Sequence, residues 1–295
     1  MDTSILSQIN QNQPVIVYSP AYLAGLIDSD GSISISRAVS KNSRRGHRYI
    51  CFVEIGQHRN DNLFGWLIAN FGGGLSRNNN GVPKWRVYGA SSISFLQTVY
   101  PYLLLKKEEA DCVLKCVSLI TDGKNLLSDE EDRIQYDCCQ KSKALKAFRY
   151  SSEKKLNQLL SFDFDYLAGV VDCEGSFDIR RKKGTLNDFY CFNFTLMQHR
   201  TDDLLAWLER RFGGAFNAGY GSRNEPAWRI NGRTARRFLE AIIFHLRLKR
   251  VDVEISLNFL DTVQSGGIRL PQEIYHLQGE YYSQIRIARE QRQEA

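Results

Sequence analysis

The stretch that decides the fold is Tyr22–Ser32, YLAGLIDSDGS. It reads as a short apolar helix that runs into two carboxylates and a glycine, after which SISISR alternates serine with isoleucine as a strand does. Ser19 and Pro20 supply an N-cap and a first-turn proline for that helix. The other end of the helix is harder to explain. Asp28 and Asp30 stand where the helix dipole already gathers partial negative charge, so a carboxylate there is unfavourable unless something positive joins it.

The chain repeats this stretch. YLAGVVDCEGS begins at Tyr166, 144 residues later, with Asp163 or Asp165 as its cap. The match extends well beyond the motif. GQHRNDNLFGWLIANFGGG from Gly56 pairs with MQHRTDDLLAWLERRFGGA from Met197, PKWRVYG with PAWRING, and LLLKKEEADC with LRLKRVDVEI. The four tryptophans fall into equivalent pairs, Trp66 with Trp207 and Trp85 with Trp228. One unit of about a hundred residues has been duplicated.

Each unit predicts the motif helix, two strands, a helix around Trp66 or Trp207, a hairpin carrying Trp85 or Trp228, and a further helix leading to Lys106 or Lys249. In the first strands Ile33 and Ile35, or Phe177 and Ile179, share one face, while Ser32, Ser34 and Ser36, or Asp178 and Arg180, share the other. That is an α+β unit, an antiparallel sheet covered by helices on one face and left open and polar on the other. The expected layout is a first unit over 1–120, a charged helical or extended connection over 121–160 that belongs to neither repeat, and a second unit over 161–295 ending in a closing helix after Leu270-Pro271.

Composition narrows the classes. With 295 residues, 43% of them hydrophobic, the chain has enough for two modest cores and no apolar run near the roughly 18 residues of a membrane span. Seven cysteines without a C-x-x-C pair, beside five histidines, read as buried thiols in a reducing compartment rather than a structural zinc site. The N-terminus has neither a signal-peptide nor a transit-peptide pattern. The expected location is therefore a microbial cytoplasm or, for an organelle-encoded chain, the mitochondrion or chloroplast, and not secretion. A net charge of +6 hints at a polyanionic partner.

Ala24-Gly25 and Ala168-Gly169 give each motif helix a face with almost no bulk, so the two backbones can approach closely. Asp30 and Glu174 would then meet beside the carbonyls of Ser29 and Cys173 in an all-oxygen, negative cluster. A hard divalent cation resolves such a cluster. Mg2+ takes carboxylate and carbonyl oxygens and keeps waters for substrate phosphates, and Mn2+ or Ca2+ can substitute in binding. The open faces offer a surface for a duplex. In the first unit this surface carries Ser34, Ser36, Lys41, Arg44, Arg45, Arg48, Ser76, Asn78, Lys84 and Arg86. In the second it carries Asp178, Arg180, Lys182, Lys183, Asn193, Thr195, Asn217, Arg223, Arg229 and Asn231. Polar residues at period two can lie along a major groove, with basic loops on phosphates.

LAGLIDSDG and LAGVVDCEG resemble the two motifs of a single-chain LAGLIDADG homing endonuclease, and the resemblance covers nearly the whole chain outside the connection and the tail. It implies two pseudo-twofold αββαββα units, motif helices at their interface, and paired sheets forming a saddle over double-stranded DNA. It implies Asp30 and Glu174 as metal ligands, assisted by the Ser29 and Cys173 carbonyls, with Asp28 and Asp172 structural. Lys106 and Lys249 match the family's basic residue that orients water and phosphate, and Gln57 and Gln198 its water-positioning residue. The further arginine of some members is replaced by Asp61 and Asp202, with Arg59 and Arg200 weak substitutes, and His58 and His199 read as packing or phosphate contacts.

The implied activity is metal-assisted cleavage of both strands of a long asymmetric target, leaving short 3' overhangs, by a monomer without an obligate protein partner. The rivals are an RNA maturase acting on host intron RNA and a non-cleaving DNA-binding regulator.

Overall fold

Ser19 caps the motif helix α1 (Pro20–Ser29), its hydroxyl accepting the Tyr22 N–H at 3.2 Å. The computed structural model describes residues 17–41, 43, 45–57, 62–119, 128–147, 162–184, 188–198, 202–220, 225–264 and 270–294. After α1 come β1 (Ser32–Val39), β2 (His47–Gly56), α2 (Leu63–Phe71), β3 (Gly74–Arg77), β4 (Pro83–Tyr88), α3 (Ala90–Val99) and α4 (Lys107–Ser118). A helix α5 (Asp129–Ala147) lies in the connection. The second unit repeats the order with α6 (Phe164–Glu174), β5 (Gly175–Lys182), β6 (Phe189–Met197), α7 (Asp203–Phe212), β7 (Ala215–Tyr220), β8 (Glu225–Asn231), α8 (Arg236–Ile242) and α9 (Arg250–Asp261), followed by α10 (Gln272–Glu294). The sheets are antiparallel, in the orders β1-β2-β4-β3 and β5-β6-β8-β7.

The repeated tryptophans and double glycines work together. Trp85 and Trp228 are fully buried on the helix side of their sheets, and each indole N–H donates at 2.9 Å to a glycine carbonyl, Gly72 or Gly213. The next residues, Gly73 and Gly214, have φ of 87° and 86°, and a Cβ on them would lie 2.5 and 2.4 Å from the carbonyl oxygens of Arg86 and Arg229. Only glycine fits there, which fixes how each hairpin leaves its helix.

α1 and α6 pack through their glycines. A Cβ on Gly25 would stand 2.1 Å from the Tyr166 carbonyl oxygen, and one on Gly169 2.2 Å from that of Tyr22. The small-residue face thus sets a backbone-to-backbone contact, and both helices end at one place.

The sequence reading stops each unit at the lysine, but a further helix follows, α4 or α9. Glu109, Ala110, Cys112, Val113, Cys116 and Val117 of α4 are buried against the sheet. Pro101, in a 3-10 turn at Tyr100–Tyr102, interrupts what reads as a single helix, so the lysine sits in the break between two. The cysteines are all free thiols, five buried and Cys173 and Cys191 half-buried. Among the described residues no helix is long and apolar enough to cross a membrane.

Candidate active site at the helix interface

The positive partner demanded at the end of each motif helix is a lysine. Lys106 is buried, and its ammonium donates to the carbonyl oxygens of Ile27 (2.5 Å), Ser29 (3.2 Å) and Gly31 (2.6 Å). Lys249 does the same with Val171 (3.1 Å), Cys173 (3.1 Å) and Gly175 (2.7 Å). A cation on the last carbonyls offsets the dipole and locks the acidic turn. The family resemblance implies ammoniums that orient water and phosphate, whereas here they are turned to backbone carbonyls.

Asp28 and Asp172 hold the lysine loops. The Asp28 carboxylate accepts the N–H groups of Leu104 (2.8 Å), Leu105 (3.0 Å) and Lys106 (2.9 Å). Asp172 accepts those of Arg247 (2.9 Å), Leu248 (3.0 Å) and Lys249 (2.8 Å). Each also takes a phenol from the other unit, Tyr166 to Asp28 at 3.0 Å and Tyr22 to Asp172 at 2.8 Å. Burial, followed by the charge of Asp172, pushes the Tyr22 phenol well above its usual range, which keeps it a donor. The sequence reading missed these crossed bonds, although a tyrosine six residues before each aspartate was visible. Tyr22→Phe is expected to cost about 2 kcal/mol, the scale of a buried hydrogen bond to a charged group, measured by denaturant unfolding.

Asp30 caps α1 on the exposed side of this framework, and Glu174 ends α6 half-buried. Burial first, then the charge of Asp30, raises the Glu174 carboxyl to about 7, while Lys249 and Lys106 oppose the shift. The two acids, one from each repeat, therefore act on each other. The Gln57 amide donates to Asp30 Oδ2 at 3.3 Å and to Cys173 Sγ at 3.1 Å, joining the halves again. Gln198 is buried at the counterpart position, its backbone N–H on the Pro226 carbonyl as that of Gln57 is on the Pro83 carbonyl.

The donor set fits a hard cation. Two mutually repelling carboxylates, that of Asp30 exposed, are donors that a hard cation such as Mg2+ accepts. Burial, with Asp30 next in effect, holds the Cys173 thiol well above its ordinary range, so its sulfur remains a neutral thiol. Among the described residues no group of three or more His, Cys, Asp or Glu gathers here.

Because the Glu174 carboxyl is raised in the folded state, the folded protein binds its proton more tightly than the unfolded chain does. The contribution of Glu174 to the stability of the metal-free protein should therefore be full below pH 4.5 and be lost as pH rises through about 7. Thermal melting with and without Mg2+ should show that loss reversed by the cation, and Glu174→Gln should remove this component of the pH dependence.

The polar faces open on the other side of each sheet. In the first, Ser34, Ser36, Arg48, Ser76, Lys84 and Arg86 share one face by register. In the second, Asp178, Arg180, Lys182, Asn193, Thr195, Asn217, Arg229 and Asn231 do so, with Lys183 just beyond β5. Several of these residues already have partners. Arg45 turns away to Asp129 (2.9 Å) and Asp132 (3.4 Å) of α5. The Asn78 side-chain oxygen accepts the N–H groups of Asn80 and Val82, both at 2.9 Å, and shapes its turn. Lys41 is exposed in the β1–β2 turn.

Glu54, missed in the sequence although it alternates with Phe52, takes Lys84 at 2.5 Å and Arg86 through both its Nε (2.6 Å) and Nη2. Burial works to raise its carboxyl, but those two cations outweigh it and hold it low. Arg44, Arg223, His58, Arg59, Asp61, His199 and Arg200 lie outside the described residues.

A duplicated αββαββα fold with an acid pair where its two motif helices meet defines the class. Residues 23–107 match the LAGLIDADG endonuclease family model, and the chain has the fold and doubled motif of a single-chain LAGLIDADG homing endonuclease. The structure of the I-SmaMI LAGLIDADG homing endonuclease bound to cleaved DNA is similar at a TM-score of 0.69 and 18% identity, over 92% of this chain and 95% of that one. I-GzeII in complex with its DNA target gives 0.71 at 16% identity over 90% and 98% of the two chains. I-LtrWI bound to target DNA gives 0.69 at 16% identity over 90% and 97%. No curated protein sequence matches the chain.

Proposed function

We propose that this chain is a site-specific double-strand DNA endonuclease that hydrolyses one phosphodiester on each strand of a long asymmetric target and leaves short 3' overhangs. The observation that carries the reading is the meeting of Asp30 and Glu174, one from each half, where the two helices end beside two open polar sheet faces. I-SmaMI, I-GzeII and I-LtrWI, of the same fold, are described as bound to DNA, and I-SmaMI also to an uncleaved target in the presence of calcium.

Asp30 and Glu174 would hold a divalent cation, Mg2+ in the working enzyme, which when bound supplies Lewis-acid stabilisation of phosphoryl charge. The residues of the chain do the rest. Gln57, anchored to Asp30, is placed to orient a water, with Gln198 its counterpart. Lys106 and Lys249 keep the two acidic turns rigid, and through them the spacing of the acids. The two sheets lay polar side chains along roughly two turns of duplex, about 10 bp per turn. Their differing residues, serines on β1 against Asp178 and Arg180 on β5, call for an asymmetric site. Both acids and both faces belong to one chain, so a monomer suffices.

The test is a cleavage selection on a randomised duplex library with Mg2+, run beside Asp30→Asn and Glu174→Gln. The expected result is one asymmetric site of about two turns, cut on both strands by the intact chain alone. Enrichment of a site without cutting would overturn the nuclease reading in favour of a regulator.

A further inference from the structure

α5 and α10 occupy corresponding places. α5 packs on α4 and along the outer strand β1, and α10 packs on α9 and along the outer strand β5. Their residues correspond at the same spacing as Lys106 and Lys249, 143 positions apart. Gln135 and Gln278 are both buried, and each donates its amide to a carbonyl at the end of the preceding helix, that of Cys116 (3.2 Å) or Thr262 (3.3 Å). Ser142 and Ile285, equally related, are both buried.

One turn further on, the spacing pairs Lys146 with Arg289. Lys146 donates to the hydroxyl of Ser34, and Arg289 lies 3.5 Å from the carboxylate of Asp178 and donates to the Phe177 carbonyl at 2.9 Å. Ser34, which is buried, and Asp178 are themselves equivalent, 144 positions apart on the polar faces of β1 and β5. Each flanking helix thus reaches around its sheet edge and sets one cation on the polar face, at the same point of both halves.

Packing alone does not require this, because the buried glutamines and the residues around them already dock each helix. The cations also crowd. Lys146 lies 6.0 Å from the Phe52 ring centre, with the Arg86 guanidinium 4.9 Å from the same ring. There Lys84 and Arg86 share the carboxylate of Glu54, so three cations lie close around Phe52. In the second half Arg180, at 2.6 Å, and Arg289, at 3.5 Å, share the carboxylate of Asp178. Cations clustered at the same point of two polar faces attract an external anion.

We infer that Lys146 and Arg289 are a matched pair of phosphate contacts, one for each outer half of the duplex. The inference rests on the DNA-endonuclease reading.

The test takes the duplex recovered by selection and measures binding against salt, by anisotropy in Ca2+, for the intact chain and for Lys146→Met, Arg289→Met and the double variant. Each lost phosphate contact should reduce the slope of log K on log salt by about 0.9, which weakens binding about eightfold at 0.1 M salt. The double variant should lose about twice that slope, Lys146→Arg should restore it, and melting temperatures should stay close to that of the intact chain. Unchanged slope and affinity would overturn the inference. So would an affinity loss at constant slope with a matching drop in melting temperature, since these residues would then only pin their helices. In both cases the intact chain still binds and cuts. If the intact chain neither binds nor cuts, the endonuclease reading fails and takes this inference with it.

Discussion

Glu174→Gln is expected to lower cleavage of both strands by about three orders of magnitude while leaving target affinity intact or tighter. Loss of both cuts, and not conversion to a nicking enzyme, follows from the coupling of the acids. The proton affinity of Glu174 is raised by burial and by Asp30, so the pair responds as one electrostatic unit. Glutamine keeps the shape of the side chain but removes the charge that would hold a cation. Removing a negative charge from a surface that meets phosphates does not weaken binding, so affinity and cutting should separate. Binding titration and strand-resolved cleavage on the same duplex measure the two. A variant that lost only one strand's cut would show that the acids serve separate sites.

Gly25→Val should be the most damaging single change for folding, costing more than about 4 kcal/mol. The new Cβ would be 2.1 Å from the Tyr166 carbonyl oxygen and 3.1 Å from the Gly169 Cα, both backbone atoms that cannot move aside. Gly169→Val meets the Tyr22 carbonyl in the same way, and the double variant should cost less than the sum because one contact is lost twice. The control is Gly65→Ala in α2, where a Cβ meets nothing within 4 Å. It should stabilise by up to about 1 kcal/mol through helix propensity alone. Denaturant unfolding separates the two glycines.

The fold was largely legible because duplication prints each signal twice. A serine cap, an alternating strand and a glycine pair are each ambiguous once, and their recurrence at one spacing removes the ambiguity. The acids were legible for a physical reason, since two carboxylates at a helix C-terminus are unfavourable unless something answers them. Part of that answer stayed hidden. Lys106 and Lys249 are far from the motif in the chain, and only folding reveals that their ammoniums face carbonyls. Asp28 could be read as structural, but its partners are backbone N–H groups 76 to 78 residues away, which carry no side-chain signature. Glu54, and the turn of Arg45 towards α5, could be found only through their pairing partners. Cys116, Cys138 and Cys139 read correctly as buried thiols, because a small apolar side chain on a helix face has few other uses.

The exchanged phenols have a consequence for how such a chain can change. Each half completes the other's lysine loop, so neither is a self-sufficient module even though each has its own sheet. A hybrid that joins one half to a foreign partner inherits a buried carboxylate whose fourth donor must come from the newcomer. Recombination between halves is therefore open to units that bring a tyrosine at the position of Tyr22 or Tyr166, and closed to the rest, whatever sequence their outer faces read.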